Sequence, residues 1–104
     1  MNSNDTRLPE IIAHRGNAFE FPENTLQALE SAVTLGVRHL EFDVQLTADH
    51  VPVVFHDADL ARVGNRSESV HSLSWSQLAE IPVGAVSRFG ERFAYTCAPS
   101  LAQT

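Results

Sequence analysis

The sequence predicts an α/β fold built on a parallel sheet, and three observations carry that reading. A short apolar run, Ile11-Ile12-Ala13, stops at the polar His14-Arg15-Gly16. A helical apolar pattern follows from Thr25 to about Leu35, and after it Arg38 to Thr47 alternates apolar and polar residues. Strand, helix and strand within about 35 residues open a βαβ unit, whose strands pair in parallel.

Each element has its own local reason. Periodicity alone does not separate strand from helix in so short a run as Ile11–Ala13, and it reads as a strand because it runs into a turn. The segment NAFEFPEN carries the breakers Pro22 and Asn24, and Asn24 is placed to cap the helix. Leu26, Leu29 and Val33 share a helix face, with Ala28 and Ala32 beside them, and Gly36 stands where a C-terminal cap is expected. On the second strand Leu40, Phe42, Val44 and Leu46 point one way, and Glu41, Asp43, Gln45 and Thr47 the other. A turn at Ala48-Asp49-His50 leads into the β-rich Val51–Phe55, which ends at His56-Asp57. Ala58 to His71 is polar and reads as a loop. Ser74-Trp75-Ser76-Gln77 has capping-box spacing and opens a short helix that Pro82 ends. The remainder, around Arg88, Phe89 and Arg92, reads as an ordered loop. Trp75 and Leu78 are expected to pack the short helix, and Phe89 and Phe93 to pack a core rather than line a pocket mouth.

Composition excludes several functions. The chain has 104 residues, enough for one small domain, with 43% hydrophobic and 19% charged residues, an ordinary globular balance. Its formal charge is −6, and all seven cations are arginine, which disfavours binding to nucleic acid or an anionic membrane. The lone Cys97 rules out a disulfide framework and a cysteine zinc site. Residues 1–10 form a polar leader with no apolar run, so neither a signal peptide nor a membrane span is expected, and a cytoplasmic setting fits.

The chemistry gathers at strand ends, where parallel α/β architectures keep their working residues. His14 and Arg15 follow the first strand, Glu41 and Asp43 lie on the second, and His56 and Asp57 end the third run. Glu41 and Asp43 are two apart on an extended segment, so both face one side about 7 Å apart. Two carboxylates on one face repel unless something neutralises them, and a hard cation such as Ca²⁺ or Mg²⁺ would do so. A tight turn at Ala48-Asp49 would set Glu41 opposite His56; a hairpin and two separate barrel strands both remain open, and both bring His56 near the acidic pair. Two histidines, an arginine and a metal-ready pair suit phosphoryl chemistry. Arginine grips phosphate through two donors, and one histidine accepts a proton while the other donates one. Each residue has an ordinary reading too: a packed or turn histidine, a solvated polar strand face, a surface cation. His39, His50 and His71 keep that ordinary reading, Gly16 permits a tight turn, Asp57 is structural, and Pro22-Glu23-Asn24 is first a helix-start device.

The segments IIAHRGNAFEFPENTLQAL and HLEFDVQLTADHVPVVFHDADLARV, and more loosely SRFGERFAYTCAPSL, together resemble the glycerophosphodiester phosphodiesterase family of PLC-like TIM barrels. The order HRG, PENT, ExD, QLT-D, PVVFHD, RFGERF is specific, although each piece alone is weak. The resemblance implies an N-terminal fragment of a (β/α)8 TIM barrel, with residues 11–104 a partial domain and 58–100 its small insertion segment. It implies metal-dependent hydrolysis of glycerophosphodiesters to glycerol 3-phosphate and an alcohol. His14 and His56 would be the acid–base pair, Arg15 would bind the substrate phosphate, and Glu41 and Asp43 would ligate Ca²⁺ or Mg²⁺. The family carries a third metal-binding carboxylate and a lysine on a later strand, which this chain lacks, and its barrel runs to roughly 250 residues. The expected alternative is therefore an inactive remnant, or a piece that needs a partner chain, with open sheet edges that invite self-association.

Overall fold

The computed structural model describes residues 11–104; the polar leader 1–10 lies outside the described residues. Three strands and a helix open the chain: β1 (Ile12–His14), α1 (Leu26–Thr34), β2 (His39–Glu41) and β3 (Val44–Leu46). They are followed by β4 (Pro52–Val54) and three one-turn helices, α2 (Ala61–Gly64), α3 (Trp75–Leu78) and α4 (Val86–Phe89), with 3₁₀ turns at Val70–Ser72, Gly90–Phe93 and Leu101–Gln103.

β1 and β2 pair in parallel with Ile12 opposite His39 and His14 opposite Glu41, so the expected βαβ unit is present. The helix between them starts differently from the sequence reading. Asn24 has φ 55, a left-handed conformation an N-cap does not use, and Thr25 takes the role, its Oγ1 accepting from the Ala28 amide. The buried face is Ala28, Leu29 and Ala32, while Leu26 is 37% and Val33 60% exposed. The small residues face inward because the chain before the helix packs against it closely. A Cβ on Gly16, which has φ +78, would lie 2.6 Å from the Ala28 carbonyl carbon. Gly36 does end α1: its amide bonds Val33 O and that of Val37 bonds Ala32 O, the paired bonds of a Schellman motif.

The long alternating strand is broken at Phe42-Asp43, because the backbone changes partner there. Up to Glu41 it bonds β1; from Asp43, whose carbonyl accepts from the Phe55 amide, it bonds the β4 side. β3 and β4 form an antiparallel hairpin in which Val44 faces Val54 and Leu46 faces Pro52. That register is one residue away from the one expected, since the connection is not a two-residue turn. Ala48, Asp49 and His50 all belong to it, His50 adopts φ 62, and Thr47 N bonds Val51 O across the base. Glu41 is consequently not set opposite His56. Val44 and Leu46 are 46% and 44% exposed, while the polar side of the strand turns inward, with Thr47 buried.

The core sits in the second half. Val53, Phe55, Leu60, Val63, Val70, Leu78, Ile81, Val83 and Ala98 form one buried cluster, with Val51, Leu73, Trp75 and Ala85 packed against it. The stretch 58–71, expected as a loop, carries α2 and a 3₁₀ turn closed by a bridge between Asp59 and Ser69. These elements lack a periodic signal because each is a single turn. α3 has its capping box as expected, Ser74 and Gln77 bonding each other's backbone amides. Phe93 is buried between Phe21 and Phe89, with ring centroids at 5.6 and 5.5 Å. Among the described residues no helix is long and apolar enough to cross a membrane.

Candidate active site

The parallel register of β1 and β2 places their last residues side by side, and the side chains meet: His14 Nε2 lies 2.8 Å from Glu41 Oε2. Both are partly exposed. Glu41 is thus the neighbour of His14, whereas the contacts of His56 run elsewhere. Arg15 follows in a left-handed conformation, φ 60, and its amide donates to Glu41 O at 2.6 Å. This backbone twist swings its side chain inward, where Nη1 donates to Glu23 Oε2 at 3.1 Å and Nε lies 3.4 Å from Asp43 Oδ2. Arg15 Nε is buried and makes no hydrogen bond.

Asn24 bonds the Arg15 carbonyl through its amide nitrogen at 3.0 Å and donates from Nδ2 to Asp43 Oδ2, also at 3.0 Å. Both Arg15 and Asn24 are non-glycine residues at positive φ, a conformation retained when surrounding contacts compensate its cost. Asn24 therefore serves Asp43 and not the helix start, and the described contacts engage one oxygen each of Glu41 and Asp43.

His56 sits just past β4, and its Nδ1 lies 2.6 Å from Asp57 Oδ1. Gln45 of β3 fixes this turn, its Nε2 donating to the carbonyls of Phe55 and Asp57 at 2.9 and 2.7 Å. The hydrogen bonds of Arg62, with lesser help from His56, hold the Asp57 carboxyl down at about 2. Burial pushes Glu23 upward, but the bonds and charges of Arg62 and Arg15 outweigh it and leave its carboxyl below the usual range. Glu23, His56 and Asp57 offer one ligand atom each within 4.8 Å of one another, which is the geometry of a cation site. All four carboxylate oxygens of Glu23 and Asp57 already accept from Arg62, so its guanidinium holds the place such a cation would take.

Glu23 and Arg62 are the residues that sequence reasoning missed. An acid ahead of a helix reads as a dipole partner, and an arginine in a polar loop reads as surface. Cys97 is partly buried, and burial raises its thiol, in keeping with an inert cysteine.

Residues 14–102 match the Glycerophosphoryl diester phosphodiesterase family. The chain belongs to that family. A glycerophosphodiester phosphodiesterase of Caldanaerobacter subterraneus subsp. tengcongensis is 38% identical over 91 residues, 88% of this chain and 37% of the relative. The human Glycerophosphodiester phosphodiesterase 1 is 32% identical over 90 residues, 86% of this chain and 27% of the relative. Among solved structures, a glycerophosphodiester phosphodiesterase of Agrobacterium tumefaciens superposes with TM-score 0.81 at 33% identity, covering 90% of this chain and 40% of that one. A phosphodiesterase of Oleispira antarctica, solved with its product sn-glycerol-3-phosphate, gives TM-score 0.81 at 35% identity, covering 91% and 38%. The fold of this glycerophosphoryl diester phosphodiesterase family member is therefore part of an α/β barrel. The chain spans about two fifths or less of the length of these relatives.

Proposed function

We propose that this site serves hydrolysis of a glycerophosphodiester to glycerol 3-phosphate and an alcohol. The observation that carries the reading is the pairing His14–Glu41 beside the inward-turned Arg15, at the carboxyl ends of two parallel strands in a chain of this family. Arg15 is the phosphate anchor: Glu23 holds its guanidinium beside the Asp43 carboxylate, and a guanidinium grips phosphate through two donors. Glu41 and Asp43 would hold Ca²⁺ or Mg²⁺. Their hard oxygen donors suit either ion, which when bound supplies positive charge to the phosphate oxygens. His56, with Nδ1 turned to Asp57, keeps Nε2 for proton transfer, and His14 is the other member of the acid–base pair. Residues 58–100 serve as the insertion that closes over the site, consistent with Arg62 reaching Glu23 and Arg88 reaching the Phe19 carbonyl at 3.1 Å.

The test is release of glycerol 3-phosphate from a glycerophosphodiester by the chain with Ca²⁺ or Mg²⁺, followed by ³¹P NMR. His14→Ala and His56→Ala are each expected to lower turnover by about 10²- to 10⁴-fold with the fold unchanged. Wild-type rates in either variant, or no release by the wild type with either ion, would overturn the reading.

A second reading has its own observation. Ile11, Ile12, Val33 and Leu35 are 60–70% exposed on β1, α1 and the residues flanking them. A chain that completes its barrel with a further chain would cover that surface. Sedimentation decides it: association that buries these residues supports this reading, and a monomer with cooperative unfolding counts against it.

A further inference from the structure

Arg62 stands on α2, far from the strand ends in sequence, yet it is bonded to both halves of the site. Nη1 and Nη2 donate to Glu23 Oε1 and Oε2 at 2.6 and 2.9 Å, while Nε and Nη2 donate to Asp57 Oδ2 and Oδ1, both at 2.9 Å. One guanidinium thus makes two forked contacts, which its planar set of five donors permits and an ammonium does not. Each carboxylate passes the contact on. Glu23 Oε2 accepts from Arg15 Nη1, and Asp57 Oδ1 faces His56 Nδ1 at 2.6 Å.

We propose that Arg62 is a positioning residue for the hydrolysis, orienting His56 through Asp57 and Arg15 through Glu23. The proposal rests on the reading of His56 and Arg15 given above. Its physical basis is charge and geometry together. Glu23 and Asp57 place carboxylate oxygens within 4.8 Å of each other, and two like charges so close swing apart unless a cation bridges them. With Arg62 between them, Asp57 stays charged and turned to the imidazole, so the neutral His56 ring carries its proton on Nδ1 and its lone pair on Nε2. Glu23 is likewise fixed, which limits where the Arg15 guanidinium can sit. The Arg62 side chain is 50% exposed, so truncating it removes no core packing.

The experiment reads the ring directly. The ¹⁵N-labelled full chain is examined by long-range ¹H–¹⁵N correlation as wild type, Arg62→Ala, Arg62→Gln and Arg62→Lys, with the imidazoles neutral and without substrate. Hydrolysis of a glycerophosphodiester is measured on the same samples, and retained methyl dispersion checks the fold. The wild type is expected to show Nδ1–H at His56. The alanine and glutamine variants should move toward Nε2–H, the form a free imidazole prefers. They should lose about 10- to 100-fold in kcat with KM changed less than threefold. Lysine keeps the charge without the fork and should restore neither. A His56 tautomer unchanged in the folded alanine and glutamine variants overturns the proposal, as does full rescue by lysine. The two readings fail separately: an unresponsive tautomer with normal hydrolysis removes the role of Arg62 alone. A responsive tautomer without hydrolysis upholds the clamp and removes the proposed activity.

Discussion

The stretch before the hairpin turn and the stretch after it solve the problem of burial in opposite ways. Between residues 11 and 50 the polar side chains His14, Arg15, Glu23, Asn24, Glu41 and Asp43 are held by ion pairs and hydrogen bonds, while Ile11, Ile12, Val33, Leu35, Val44 and Leu46 are 44–70% exposed. Between residues 51 and 98 the apolar residues close into one cluster, with Val53, Leu60, Val70 and Leu78 entirely buried. Local packing therefore stabilises the second region, while the first owes its shape to the parallel register, the Gly16 contact with α1 and polar contacts between strand ends. The site joins the two, since Arg62 from the packed region bonds Glu23 in the open one.

The largest effect expected from breaking this contrast lies in the packed region. Leu78→Ala should lower unfolding free energy by about 2–5 kcal/mol, measured by urea denaturation, because the cavity left by a fully buried leucine does not collapse completely. In the open region the sharpest break is at Gly16. Gly16→Ala forces a Cβ to within 2.6 Å of the Ala28 carbonyl carbon at positive φ, and a loss of about 2 kcal/mol or more should accompany detachment of α1 from β1. Amide exchange that stays slow in α1 of that variant would show that the close approach is not what holds the helix.

The junction should respond to acid. Asp57 titrates at about 2 in the folded chain against about 3.9 unfolded, so its contribution is present above pH 4 and disappears as pH falls from about 4 to about 2. Arg62 is half exposed and solvent screens the pair, which leaves on the order of 1 kcal/mol. Asp57→Asn should flatten that part of the stability–pH curve, and an unchanged curve would deny the pair its role. The smallest effect is the most diagnostic of openness. Val33→Ser, at a position 60% exposed, should change stability by less than about 0.5 kcal/mol. A loss above about 1 kcal/mol that grows with protein concentration would mean that the face is covered by another copy.

Much of this arrangement was legible in the residues. The βαβ opening, the Gly36 cap and the capping box at Ser74 follow from local chemistry that needs no tertiary partner. The register of the hairpin that carries His56 was not legible. Whether Ala48–His50 closes as a two- or three-residue connection shifts every pair along the hairpin by one, and only the left-handed His50 decides it. Nor could the alternation from Arg38 to Thr47 reveal its break, since Phe42 and Asp43 fit a strand as well as their neighbours and the change of partner lies in other parts of the chain.

By itself, then, the order of residues determined the strand–helix–strand opening, the placement of His14, Arg15 and His56 at element ends, and the family. Those rest on periodicity and on turn chemistry, which act over a few residues. Tertiary structure alone decided that His14 meets Glu41, that Asn24 supports Asp43, and that Arg62 joins Glu23 to Asp57. The Asn24–Asp43 and Glu23–Arg62 contacts join groups 19 and 39 residues apart; they depend on register and on how one-turn helices pack, and no local pattern encodes either.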